Sequence, residues 1–269
     1  MKHSYFFLNM YSIGLFTSSV DRDPTLTKGE MALEKNELHW LKYVLPHWNK
    51  LRETKKTIQL FRDGVPQRVR GPVWKRVIGN RIGMTPELYN IYARHARECI
   101  LKGDDSTARL LEVDLPRTFP ALSFFNRTGP FHEQLMEVLG SWAQYRPDIG
   151  YVQGMSHIAG LLLLQMDPYD AFTCFVSMMS QHLFESFFSM EADSIMQHLN
   201  VFDIMFHLNM PDLFDKFHQL DISPNYYLLD WIMTMFTHVL SLPLASRIWD
   251  CYIVEGEIFV HRAALGLLY

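Results

Sequence analysis

Cysteine is scarce in this chain of 269 residues: Cys99, Cys174 and Cys251 are odd in number and far apart. They exclude a disulfide framework and offer no paired spacing for zinc, so they read as reduced cytosolic thiols in a core. An excess of positive charge is also missing. With 25 Lys and Arg against 29 Asp and Glu, the net charge is −4, which excludes a protein that grips nucleic acid mainly through its phosphates. Basic residues do gather between 62 and 81. No apolar run reaches the length of a membrane span, and the best, at 158–164, is interrupted by Gly160. The N-terminal apolar stretch carries one lysine, is broken by Asn9 and Ser12, and leads to no small-residue cleavage site. A secretory leader is therefore not expected there.

Several chemical signatures are missing as well. There is no phosphate-binding loop of the Gly-x-x-x-x-Gly-Lys-Ser/Thr type and no Gly-x-Gly-x-x-Gly, so the chain is not expected to hold a nucleotide by itself. Gly-x-Ser-x-Gly is absent, which removes the common hydrolase elbow. The 12 histidines include no His-x-x-x-His and no His-Glu-x-x-His, so no metal site is expected from spacing. No Asn-Gly or Asp-Gly turn joins two alternating runs, which leaves strands scarce.

What is present is apolar and helical. Apolar residues make up 48% and aromatic residues 14%, enough for a large core. A polar stretch at 17–30 reads as a linker after an apolar arm, and helical periodicity starts near Met31, with Leu33, Leu38, Leu41 and Leu45 on one face. Proline then punctuates the chain at helix starts: Gly71-Pro72, Thr85-Pro86, Gly129-Pro130, Asp167-Pro168, Ser223-Pro224 and Pro243. Gly103 reads as the C-cap of the helix that begins at Thr85-Pro86, whose inner residues are Leu88, Ile91, Tyr92 and Cys99. Asp148 reads as the cap of the helix through Met155 and Ile158, and Ser223-Pro224 opens one running to about 241. The fold class is all-α: a helical lead-in over 31–61 and one extended multi-helix domain over 62–269, without a repeat of fixed period.

Two polar residues stand out within 111–155. Arg117 lies between Pro116 and Pro120, on a loop whose backbone entropy is partly removed in advance. Leu115 and Phe119 precede prolines and should be extended, and Asp114 is placed to bond the guanidinium and aim it. Such an arginine suits stabilising negative charge on another molecule, but a structural Asp–Arg pair explains the same residues equally well. Gln153 sits at a helix start between Val152 and Gly154, after Gly150. Its amide can donate and accept, as orienting a water requires, although bonding its own helix backbone is the simpler explanation of that residue alone.

Taken together, Asp63-Gly64-Val65-Pro66 with Arg70-Gly71-Pro72-Val73-Trp74, Leu111-x-x-Asp114-x-x-Arg117, Gly150-Tyr151-Val152-Gln153-Gly154-Met155 and Arg247-Ile248-Trp249-Asp250 resemble the TBC-domain Rab GTPase-activating proteins. The motifs follow that family's order over 62 to the end. The resemblance implies an arginine finger at Arg117 and a glutamine finger at Gln153, supplied in trans to a GTP-bound Rab. The glutamine finger takes over the role of the GTPase's own glutamine. Asp114 and Tyr151 are implied as supports, and Arg70, Trp74, Arg247, Trp249 and Asp250 as structural motif residues. GTP and Mg2+ are then held by the partner, with no cofactor, metal or turnover chemistry of the chain's own. The implied setting is vesicle trafficking by a cytoplasmic protein recruited peripherally to endomembranes, with motif wording similar to members acting on recycling-endosome and autophagic membranes.

Two departures qualify the resemblance. Leu111 stands where the family has isoleucine, an apolar exchange of small consequence. The family's domain continues beyond the position of Tyr269, so the chain reads as a truncated domain with apolar faces of 224–241 and 244–254 uncovered. The alternatives are a Rab-binding scaffold with weak or no activity, and a helical interaction module unrelated to GTPases. The latter leaves the motif register unexplained.

Overall fold

The computed structural model describes residues 28–102 and 106–269, so the apolar arm and the Gly103 cap lie outside the described residues. Among the described residues there are fifteen α-helices and no strand.

The lead-in consists of α1 (Lys28–His39), a π-helical turn (Trp40–Val44) and α2 (Trp48–Leu51). Its buried residues are Trp40, Val44 and Trp48, whereas Leu33 and Leu41, expected on the inner face, are exposed. Two causes act here. Indole rings remove more apolar surface from water than leucine does, and the wider turn, in which the Leu45 N–H reaches the Trp40 carbonyl at 3.0 Å, rephases the face beyond residue 40. Both indoles meet Phe61 edge-on, at 4.9 and 6.0 Å, which joins the lead-in to α3 (Lys55–Asp63) and to the main core.

Next come α4 (Arg70–Ile78), α5 (Pro86–Lys102), α6 (Ser106–Asp114) and α7 (His132–Tyr145). Thr85 caps α5 by accepting the Leu88 N–H at 3.2 Å. The buried residues of α5 are Tyr89, Ala93 and Ala96, while Ile91, expected inside, is exposed. Helix α5 packs along α7, and the small alanines let the two backbones approach where isoleucine would hold them apart.

The centre of the core is α8 (Met155–Leu163) and α9 (Pro168–Met179), both buried over most of their length. Asp167 caps α9 by accepting the Asp170 N–H at 3.0 Å. Then follow α10 (His182–Phe188), α11 (Ala192–Asn209), α12 (Pro211–Gln219) and a 3₁₀ turn (Pro224–Tyr226). The single helix expected over 224–241 is broken: α13 covers only Leu228–Met233, and Met235 (φ 45°) and Phe236 (φ 63°) take left-handed backbone. Both side chains are fully buried, and that burial offsets the strain. The chain closes with α14 (Leu242–Glu255) and α15 (Glu257–Leu268). Trp249 and Tyr252 of α14 enter the core, while Val239 and Leu244 are exposed.

Candidate functional site

The arginine loop begins where α6 ends at Asp114, continues as a 3₁₀ turn (Leu115–Arg117), and is anchored by the fully buried Leu115. Neither residue before proline is extended. Leu115 lies within the 3₁₀ turn, its carbonyl accepting the Thr118 N–H at 3.0 Å, and Phe119 is left-handed (φ 48°, ψ 58°). Sterics before proline disfavour the right-handed helical region without forbidding it, so Leu115 keeps a right-handed turn while packing selects left-handed backbone at Phe119. The buried Phe119 ring seats against Phe125 at 6.0 Å and edge-on against His157 at 5.5 Å. Arg117 is exposed and, among the described residues, has no hydrogen bond or ion pair, so the expected Asp114–Arg117 contact is not formed.

The glutamine loop joins α7 to α8. Asp148 does not cap α8, because its carboxylate takes the Arg146 guanidinium at 2.8 Å and the helix starts later, at Met155. Gln153 lies two residues before that helix rather than inside it, is exposed, and likewise lacks a hydrogen-bond partner among the described residues. Gly154 forms the N-terminal boundary with φ 102°, and a Cβ there would sit 3.0 Å from the Met233 carbonyl. Only glycine meets both demands. The Trp142 indole N–H pins the loop from below, donating to the Gly150 carbonyl at 2.8 Å.

Two side-chain bonds tie the loops together. The Tyr151 hydroxyl donates to Asp114 Oδ2 at 2.9 Å, and the Thr118 hydroxyl meets Ser156 Oγ at 2.8 Å in a buried contact. Burial and the Asp114 charge push the Tyr151 phenol far above its ordinary value, so it stays a donor. Asp114 therefore supports the arginine loop through Tyr151. Thr118 and Ser156 carried no signal in the sequence beyond their adjacency to the two motifs. Behind both loops lies His157, whose Nδ1 is buried without a partner and whose ring is 5.6 Å from that of His238. Burial and that neighbour push its pKa down to about 4.

The remaining motif residues meet elsewhere. Arg70, 5% exposed, donates to Asp250 at 3.1 and 3.2 Å and to the Val65 carbonyl at 2.9 Å. Asp250, 0% exposed, also accepts the Trp74 indole N–H at 2.8 Å and the Val65 N–H at 3.2 Å. Burial raises the Asp250 carboxyl while these donors pull it down. Trp74 stacks on Trp249 at 5.1 Å, and Arg247 donates to the Arg62 carbonyl. Arg70, Trp74, Trp249 and Asp250 lock α4 to α14, Arg247 ties α14 to α3, and both carboxylate oxygens of Asp250 are taken up by these donors. They form a frame.

The site thus offers a cation and an amide, both unengaged among the described residues, on two cross-linked loops, a pairing suited to negative charge and a water held by another molecule. A family model described as the Rab-GTPase-TBC domain matches residues 67–269. The chain belongs to the Rab-GTPase-TBC domain family. This TBC domain is 35% identical to TBC1 domain family member 12 of Rattus norvegicus over 90% of the chain and 37% of that protein. It is 36% identical to TBC1 domain family member 14 of Homo sapiens over 86% of the chain and 36% of that protein. Drainin of Dictyostelium discoideum is 33% identical over 85% of the chain and 64% of its own length. The chain thus spans little more than a third of the first two relatives. Among solved structures, the Chlamydomonas flagellar RabGAP TBC domain superposes with a TM-score of 0.71 at 21% identity, covering 88% of this chain and 80% of that one. The Ypt/Rab-GAP domain of Gyp1p superposes with a TM-score of 0.63 at 16% identity, covering 88% and 85%. The TBC fold is common to all three.

Proposed function

We propose that this TBC domain accelerates GTP hydrolysis by a Rab GTPase, with Arg117 as arginine finger and Gln153 as glutamine finger. The observation that carries the reading is the pair of exposed side chains, unpartnered among the described residues, on loops fixed to one another through Tyr151–Asp114 and Thr118–Ser156. GTP and Mg2+ belong to the Rab. Arg117 offsets charge developing on the transferring phosphoryl group, and Gln153 orients the attacking water. An arginine supplied in trans is worth on the order of 10³–10⁵ in rate, or ~4–7 kcal/mol of barrier. The chain gives no covalent chemistry of its own and acts as an activator rather than an enzyme with a separate substrate.

Among the described residues no helix is long and apolar enough to cross a membrane. Separately, we propose that the domain acts in vesicle trafficking or autophagy by peripheral recruitment to endomembranes that carry the Rab. Single-turnover hydrolysis across a panel of GTP-loaded Rabs tests the proposal, and acceleration of at least one Rab is the expected result. Binding to GTP-loaded Rab without acceleration of any member would favour the scaffold reading instead.

A further inference from the structure

Away from the finger loops, three elements bring metal-binding side chains to one place. His182 opens α10, His198 lies on α11 and Glu257 opens α15, and one ligand atom from each falls within 4.8 Å of the other two. We propose that His182, His198 and Glu257 form a binding site for a divalent transition metal of the zinc class, which staples α15 to α10 and α11.

Two imidazoles and one carboxylate are a set that zinc accepts, with one tetrahedral position left over, whereas magnesium and calcium prefer oxygen alone. The groups around the cluster are prepared for a cation. Glu257 Oε1 accepts the Leu183 N–H at 2.9 Å, which orients the carboxylate and leaves its second oxygen available. Among the described residues His198 Nε2 is buried without a hydrogen-bond partner, and such an orphan is costly unless something coordinates it. His261, 3% exposed, stacks on His198 with centroids 5.7 Å apart. Its Nδ1 lies 3.2 Å from the Glu257 carbonyl, to which it can only donate, so its buried Nε2 is bare and likewise unpartnered. His182 is exposed and gives the ion a route in. The three ligands lie far apart in sequence, which is why spacing rules missed them.

The test is a titration of the tag-free chain with zinc chloride against a chromophoric chelator, alongside cobalt(II) absorption and thermal unfolding. One equivalent of zinc should bind, cobalt should give a tetrahedral d–d spectrum, and zinc should raise the unfolding midpoint. His182→Ala, at an exposed position, and Glu257→Gln, which keeps the acceptor for Leu183, should each weaken zinc at least about 10–100-fold, the range set even by partners behind the ligands. His238→Ala should bind as the parent does. Absence of stoichiometric binding, or equal affinity in the His182 and Glu257 variants, would overturn the site.

Discussion

Tyr151 donates its hydroxyl to the carboxylate of Asp114 at 2.9 Å, and through that bond the loop carrying Gln153 holds the loop carrying Arg117. The bond converts two separately flexible side-chain platforms into one. Tyr151→Phe keeps the buried ring and deletes the hydroxyl that makes this link. Stability should fall by ~1–3 kcal/mol, as for a hydrogen bond to a charged group. Rab hydrolysis should fall by ~10–100-fold, because small misplacement of positioned groups is costly in rate. Urea unfolding and kcat/KM on the same preparation separate the two effects.

Gly154 holds the start of α8 at φ 102° with the Met233 carbonyl in the way of any Cβ. Gly154→Ala should destabilise the domain by ~1–3 kcal/mol from left-handed strain and the forced shift of 231–235. Because the strain lands beside Gln153, activity should decline at temperatures where the variant is still folded. Circular dichroism melts and hydrolysis assays at low temperature check this.

The frame gives a contrast in magnitude. Removing one partner of the buried Arg70–Asp250 pair, as in Asp250→Ala, should cost about 3–5 kcal/mol, since it strands a buried guanidinium. The exposed Arg52–Glu53 pair at 3.2 Å should give less than ~0.5 kcal/mol on Glu53→Gln. Paired urea titrations measure both, and similar losses would contradict the role assigned to the frame.

His157 supplies a pH dependence. Its folded pKa, near 4, lies below the ordinary value of 6.5, so between these pH values the unfolded chain binds more protons. Stability therefore rises with pH across this window and is lost on acidification from 6.5 toward 4, by ~2–4 kcal/mol. Three groups act on the ring besides burial: His238 lowers its pKa, while Asp230 and Asp114 raise it. His157→Gln should flatten the unfolding midpoint against pH over that range relative to the parent. The lowered His198 pKa acts in the same sense, and the difference between the two curves isolates His157.

Much of this was legible in the chain. Proline and its capping neighbours marked helix starts because the cause is local: Thr85 and Asp167 accept N–H groups three residues on. The order of the four motifs pointed to Arg117, Gln153 and the frame. What escaped was decided by distant partners. Phe119 is left-handed because a pocket formed with Phe125 and His157 selects it, and Met235 and Phe236 break a well-patterned helix because their side chains belong in the core. Asp114 seemed aimed at Arg117, three residues away, yet its partner is Tyr151, 37 residues on. Periodicity also misjudged faces where residue size mattered more than hydrophobicity, as with Ile91 against Ala93.

The two-finger mechanism is tested most directly with a responsive Rab whose own water-positioning glutamine has been replaced by alanine. In single-turnover hydrolysis the parent TBC domain should still accelerate this Rab, while Gln153→Ala should not and Arg117→Ala should lose on the order of 10³-fold or more. Failure of the parent to accelerate the glutamine-less Rab, or undiminished acceleration by either variant, would contradict the mechanism.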